Sequence, residues 1–191
     1  MSLYSLSLLF ICSLIFLKIY GIIYSENEKV QIRKDKYMIT VYVDGSCRGN
    51  PGPGGFGVIV VEDDKVIAAY QERHSSTTNN RMEMSAIIYA LENYGAREGD
   101  FFAPIVYSDS SYCVNSFTNW INGWKANGWV RAGGKKLENL DLIQTYDMLR
   151  QEFKIDLRKI KGHDGILYNE LADGLATGQI SVEDVLREYG D

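Results

Sequence analysis

The sequence predicts an α/β domain, a mixed sheet flanked by helices, and three observations carry that expectation. Three runs rich in β-branched and aromatic residues, Met38–Val43, Phe56–Val61 and Val66–Tyr70, follow closely enough to form an antiparallel meander. The apolar period then switches to that of a helix over Asn80–Tyr94. From Ile105 onward, short strand-like runs alternate with helical ones, the pattern of parallel strands joined by crossovers.

Taken in order, Met38–Val43 reads as a strand buried on both faces. Gly45 to Gly57 is rich in Gly and Pro and is expected to be loop or turn. Asp63-Asp64 supplies turn chemistry between the second and third strands. In the helix that follows, Met82, Ala86, Ala90 and Leu91 share a face, with Ile87 and Tyr94 beside it and Gly95 as a stop. Pro104 precedes a strand over Ile105–Tyr107, and helices are expected over Ser111–Phe117 and on through the Trp-rich region. Leu137–Phe153 reads as a long amphipathic helix, Ile155–Ile160 as a last strand, and Tyr168–Thr177 as a helix. The core domain is thus expected over 38–178, with a short helical tail over 179–191.

Residues 1–37 stand apart. Leu3–Tyr24 is an apolar run interrupted by Lys18 and Gly21, and about 20 apolar residues suffice to cross a bilayer. Lys29, Arg33, Lys34 and Lys36 lie on its C-terminal side, a bias that would keep the rest of the chain cytoplasmic, tethered to the inner membrane. The other reading is an incorrect start, with Met38, directly before the first core strand, as the true one. The three cysteines, Cys12, Cys47 and Cys113, form no CxxC pair and read as reduced thiols of a cytoplasmic protein.

Net charge is −5, and residues 1–37 hold five basic against three acidic side chains, so the remainder carries −7. Such a balance argues against loose affinity for nucleic acid. One stretch differs: between Asp109 and Glu138 lie Lys125, Arg131, Lys135 and Lys136 and no acid. A local basic island in an acidic chain marks a directed binding surface.

Four carboxylates occupy places where acids have no structural role. Asp44 and Asp109 each end an apolar strand, and parallel pairing of those strands would bring both out at one sheet edge. Glu83 lies in the first turns of a helix next to apolar Met82, and Asp173 sits within Leu171-Ala172-Asp173-Gly174-Leu175-Ala176. Packed together, such groups raise one another's pKa unless a cation neutralises them, and a cluster of carboxylate oxygens suits Mg²⁺ or Mn²⁺. Taken singly, each acid also has an ordinary reading: Asp44 as a turn cap, Asp173 as a partly exposed helix residue.

The motifs around them are Asp44-Gly45-Ser46-Cys47-Arg48-Gly49-Asn50-Pro51-Gly52-Pro53-Gly54-Gly55, Thr77-Thr78-Asn79-Asn80-Arg81-Met82-Glu83, Ser108-Asp109-Ser110, and Lys161-Gly162-His163 with Asn169-Glu170 and Asp173. In this order and spacing, over about residues 38–178, they resemble the type 1 ribonuclease H family. The resemblance implies a ribonuclease H-like fold with a five-stranded mixed sheet. It also implies cleavage of the RNA strand of RNA–DNA hybrids by two metal ions, leaving 5′-phosphate and 3′-hydroxyl ends. By matching position Asp44, Glu83, Asp109 and Asp173 would hold two Mg²⁺, or Mn²⁺, and His163 would serve proton transfer or product release. His74 has no such context and reads as a surface residue.

The same resemblance assigns substrate contacts. The backbone of Gly45, Ser46 and Cys47 and the side chains of Asn50, Asn79 and Asn80 would meet the 2′-hydroxyls and base edges of the RNA, the feature that distinguishes RNA from DNA. These asparagines could equally shape turns and cap the helix at Arg81. Trp120, Trp124, Lys125 and Trp129 fall in the family's basic protrusion, which grips the DNA strand; Trp120 and Trp124, four apart on a helix, also fit core packing. Thr78 and Asn139 match positions that hold a DNA phosphate. The chain departs from the pattern at Ser76, where Arg often stands, and in a protrusion with few adjacent basic residues. A hybrid-binding domain of this fold without activity would lack one of the acids, and all four are present. A DNA-cutting integrase- or resolvase-like relative would not carry the Thr-Asn-Asn-Arg-Met-Glu block with a Trp-rich protrusion. The expected enzyme is a monomer. Were all four protrusion cations to touch phosphates, binding would fall with salt at a logarithmic slope of about −3 to −4.

Overall fold

The computed structural model describes residues 23–26, 29–32, 39–162 and 164–190. The chain forms two compact units that divide between Met38 and Ile39. In the first, β1 (Ile23–Glu26) and β2 (Lys29–Ile32) pair antiparallel, with Glu26 opposite Lys29. Most of the apolar run expected to be an anchor, residues 3–22, lies outside the described residues; Ile23 and Tyr24 belong to β1. Among the described residues no helix is long and apolar enough to cross a membrane.

The second unit opens with the expected meander, β3 (Thr40–Cys47), β4 (Gly52–Glu62) and β5 (Lys65–Thr77). Asp63 and Asp64 make its two-residue turn, both with positive φ, which Asp tolerates and which matches the twist of the flanking strands. Helix α1 (Asn79–Tyr94) returns the chain to β6 (Ile105–Ser108), which lies parallel to β3. Helix α2 (Ser111–Asn115) runs through a π-helical turn, Ser116–Trp120, into α3 (Ile121–Ala126). Helix α4 (Leu140–Leu149) leads to β7 (Asp156–Lys159), and α5 (Leu167–Thr177) and α6 (Val182–Tyr189) close the chain. The sheet order is β5-β4-β3-β6-β7: antiparallel among the first three, parallel from β3 to β7.

Each sheet face carries its own apolar layer. Val41, Val43, Val58 and Val60 pack with Met84, Ile87, Leu91, Phe117 and Ile143 beneath α1, the π-turn and α4. Ile59, Val61 and Val66 face the other way and meet Leu175, Ala172 and Val185 of α5 and α6. A fully buried aliphatic side chain contributes about 1.5–3 kcal/mol, so these two layers dominate stability. The segment over 179–190 packs onto the sheet: Val185 is buried, Gly190 pairs with Val66, and Ser181 and Asp184 form a reciprocal cap at the start of α6.

The expected loop over Gly45–Gly57 is a correction. Only residues 48–51 lie outside the strands: Gly49, at φ 77°, turns the chain there, while Gly45, Gly52, Gly54, Gly55 and Gly57 are inside β3 and β4. The strand glycines are there for close approach and not for turning. A Cβ on Gly45 would stand 2.1 Å from the backbone N of Glu83, and one on Gly57 would stand 2.3 Å from the carbonyl of Ala172. Helices α1 and α5 can lie against the sheet only because these positions have no side chain. The long helix expected over Leu137–Phe153 is also shorter: Asn139, left-handed at φ 55°, precedes its start, and its regular part ends at Leu149.

Gly57→Ala is therefore expected to destabilise the chain by about 2–3 kcal/mol through overpacking. Gly123→Ala, in α3 with open space around it, should be neutral or stabilising by up to about 1 kcal/mol. Denaturant titration of the two variants checks the contrast.

Candidate active site

Parallel pairing sets Val43 beside Ser108, so the next residue of each chain segment, Asp44 and Asp109, emerges side by side at one sheet edge. The carboxyl ends of strands in such sheets are where ligands bind. Thr78 caps α1 by accepting from the N–H of Arg81 at 3.4 Å, and the Gly45 contact presses that helix onto β3. Glu83 then faces the two aspartates, and one carboxylate oxygen from each of Asp44, Glu83 and Asp109 lies within 4.8 Å of the others. Asp173, on α5, stands outside that group of three but near enough to Asp44 to help raise its carboxyl's pKa.

This cluster is poorly solvated. Asp44 is 7% exposed and Glu83 5%. Burial pushes the Asp44 carboxyl up to about 8, with Asp109 and then Asp173 adding repulsion. Burial likewise holds Glu83 well above the ordinary carboxylate range, followed by the charges of Asp44 and Asp109, while a hydrogen bond from Asn79 opposes the shift. That bond, Asn79 Nδ2 to Glu83 Oε1, is 3.4 Å, whereas Glu83 Oε2 is buried with no hydrogen-bond partner. An orphaned buried oxygen, on a carboxylate grouped with those of Asp44 and Asp109, fits a divalent cation of the hard, oxygen-binding kind.

The remaining expected residues fall into three places. Near the acids, the Asn50 side-chain oxygen accepts from the N–H of Asn79 at 3.2 Å, which ties the 48–51 loop to the start of α1. Gly45, Ser46 and Cys47 complete β3 there, and the Cys47 thiol donates to the carbonyl of Gly49 at 2.7 Å. Thr78 makes the side-chain cap, so Asn79 and Asn80 are free of that role; the Asn80 carbonyl lies 3.8 Å from the Cys113 thiol. Gly162 passes close over Asp109, since a Cβ there would stand 2.3 Å from Asp109 Oδ2. His163 follows it in sequence and lies outside the described residues.

Farther along, Asn139 accepts from Arg81 at 3.3 Å, and Arg81 is held bidentate by Asp141 at 3.0 and 2.6 Å. In the protrusion, Trp124 and Trp129 are partly buried against the main core, while Trp120 is 41% exposed. Trp129 is left-handed at φ 64° and donates its N–H to the Trp124 carbonyl at 2.7 Å. Lys125 Nζ lies 2.7 Å from Asp147. Sequence reasoning passed over Asp141, which pairs with Arg81, and Asp147, which pairs with Lys125 of the expected protrusion; Arg150, three residues after Asp147, was the available signal for the second. His74 is on the surface, 2.9 Å from Glu72.

The RNase H family model matches residues 35–181. The chain belongs to the ribonuclease H family. It is 42% identical over 138 residues to the ribonuclease H of Caulobacter sp. (strain K31), covering 72% of this chain and 86% of the relative. With that of Maricaulis maris (strain MCS10) the identity is 46% over 138 residues, 72% and 90% of the two chains. Among solved structures it is similar to LC9-RNase H1, a type 1 RNase H with the type 2 active-site motif, at 34% identity and a TM-score of 0.62, over 73% of this chain and 70% of that one. LC11-RNase H1 in complex with RNA/DNA hybrid shares the fold at 23% identity and a TM-score of 0.55, over 78% and 99% of the two chains. The chain is thus an enzyme of the ribonuclease H family, type 1 in its resemblance.

The raised Asp44 carboxyl sets a pH dependence of stability. Folded and metal-free, this group keeps its proton up to about pH 8, whereas unfolded chain releases it near 3.8. Between those values the folded state holds the extra proton, so stability falls as pH rises. Asp44→Asn removes this group's share of the dependence, leaving that of buried Glu83, and is expected to be more stable than the parent at pH 8 in EDTA, on the order of 2 kcal/mol. The gain should vanish toward pH 4, and Mg²⁺ should stabilise the parent while leaving the variant less affected. Thermal melts across pH check both.

Proposed function

We propose that this chain is an endonuclease that hydrolyses the RNA strand of RNA–DNA hybrids and leaves 5′-phosphate and 3′-hydroxyl ends. The observation that carries the reading is the convergence of Asp44, Glu83 and Asp109 within 4.8 Å, with Asp173 against Asp44. Like charges at such spacing are tolerated in a folded core when a cation joins them. The four acids would hold two Mg²⁺, with Mn²⁺ as an alternative. Bound there, the ions supply an activated water and stabilise the departing 3′ oxygen.

The chain's own groups bind and orient the hybrid. Asn50, Asn79 and the backbone of Gly45–Cys47, near the end of β3 that carries Asp44, are assigned the contacts to the 2′-hydroxyls that mark an RNA strand. Asn80 is assigned the same role. Thr78 and Asn139 receive a DNA phosphate, and Trp124 and Trp129 with the protrusion's cations engage the DNA strand. His163 is assigned proton transfer, which suits an imidazole near neutral pH; its sequence neighbour Gly162 lies close over Asp109. A relative of the same fold bound to RNA/DNA hybrid supports the choice of substrate. The enzyme acts as a monomer in the cytoplasm.

Labelled hybrid, duplex DNA and duplex RNA offered to the full chain with Mg²⁺ test this. Cleavage is expected in the RNA strand of the hybrid alone and is abolished by EDTA. Asp109→Asn should lower kcat by roughly a hundredfold or more, the scale on which one charge-stabilising group acts. Cutting of duplex DNA at a comparable rate would overturn the assignment.

A further inference from the structure

The four cations of the basic island differ in what already holds them. Lys125 Nζ donates to Asp147 Oδ2 at 2.7 Å, and that side chain is only 9% exposed. Arg150 takes the other oxygen, with Nε at 2.9 and Nη2 at 2.7 Å, and its Nη2 also reaches Asn122 at 2.6 Å. The network fastens α3, which carries Asn122, Trp124 and Lys125, to α4. Arg131 is partly engaged as well, 3.4 Å from the Tyr112 hydroxyl and 4.0 Å from Glu138. Lys135 and Lys136 are exposed, as is half of the Lys125 side chain, and differ in that neither has a side-chain partner among the described residues. They sit on a tight loop closed by Arg131 N–H to the Lys135 carbonyl at 2.8 Å and by a bridge between Val130 and Lys136, with Gly133 and Gly134 at positive φ.

A lysine that leaves a nearly buried carboxylate for an exposed phosphate exchanges a poorly solvated charged bond for a screened one. We propose that Lys125 is a positioning residue that struts the protrusion through Asp147, and that Lys135 and Lys136 carry the electrostatic grip on the substrate. The inference rests on the hybrid-cleaving reading above and specifies which side chains serve it. Two free cations imply a logarithmic salt slope of about −2, in place of the −3 to −4 expected if all four bound phosphates.

The test uses the full chain made inactive by Asp109→Asn and labelled hybrid, with anisotropy titrations across KCl concentration. Lys135→Ala and Lys136→Ala should each flatten the slope by about 0.9. Lys125→Gln should leave the slope unchanged and weaken binding by roughly fivefold at every salt concentration. Lys125→Arg should restore the affinity, which loss of a fold-stabilising contact alone does not require. A slope flattened by about 0.9 in Lys125→Gln, at unchanged melting temperature, overturns the proposal. So does an unchanged slope in both Lys135→Ala and Lys136→Ala. Failure of the parent to bind hybrid at any salt concentration would instead remove the functional reading. In that event, coupling between Lys125→Gln and Asp147→Asn in thermal melts still tests the strut, and additive effects of the two overturn it.

Discussion

The site depends on two places where backbone meets backbone without a side chain between. At Gly45 the sheet touches α1 beside Glu83, and at Gly57 it touches α5 beside Ala172, the neighbour of Asp173. Each contact sets how deep a helix sits, and each helix brings one acid to a strand-borne partner. A single methyl at either position would push its helix outward, and the carboxylates would part. Catalytic geometry and core packing are therefore one constraint.

That constraint has an electrostatic cost which the rest of the fold must offset. Asp44 and Glu83 are almost excluded from water, so both resist ionisation, and a neutral carboxyl is a poor ligand for a hard cation. The apolar layers under α1 and α5 supply the stability that lets the acids stay in place. Asn79 offers Glu83 one hydrogen bond and leaves the second oxygen without a partner. An arrangement with all oxygens satisfied by protein donors would be more stable and less able to take up metal, the usual opposition of stability and function.

How much of this could be read from sequence varies with distance along the chain. The acids at Asp44 and Asp109 were legible because each interrupts a strand pattern, and parallel pairing of those strands brought them side by side. The meander, α1 and α5 followed from period and from Asp63-Asp64. Apart from Gly49, the glycines between 45 and 57 were misread as loop because Gly and Pro mark turns and close approach alike, and only what packs across them tells which. The early end of α4 had a similar cause: apolar spacing continues to Phe153, yet the regular helix closes at Leu149. Lys125 looked like a free cation because its partner is 22 residues away on another helix. Pairing of that kind leaves no local trace in composition.

The charge distribution then has a physical logic. A chain of net charge −5 that must approach a polyanion cannot rely on bulk attraction. If Lys125 and Arg131 are paired with groups of the fold while Lys135 and Lys136 are left without side-chain partners, shape and grip are divided among different cations. Asp147 and Arg150 fix the angle of the protrusion relative to α4, and α4 follows Asn139, which Arg81 holds against α1. Helix α1 in turn carries Glu83. The protrusion is thereby connected to the metal-binding acids through charged contacts as well as apolar packing. Such contacts are directional, whereas apolar contacts permit sliding. A cation tied to a nearly buried partner can thus contribute more to where the substrate lies than the same cation left unpaired.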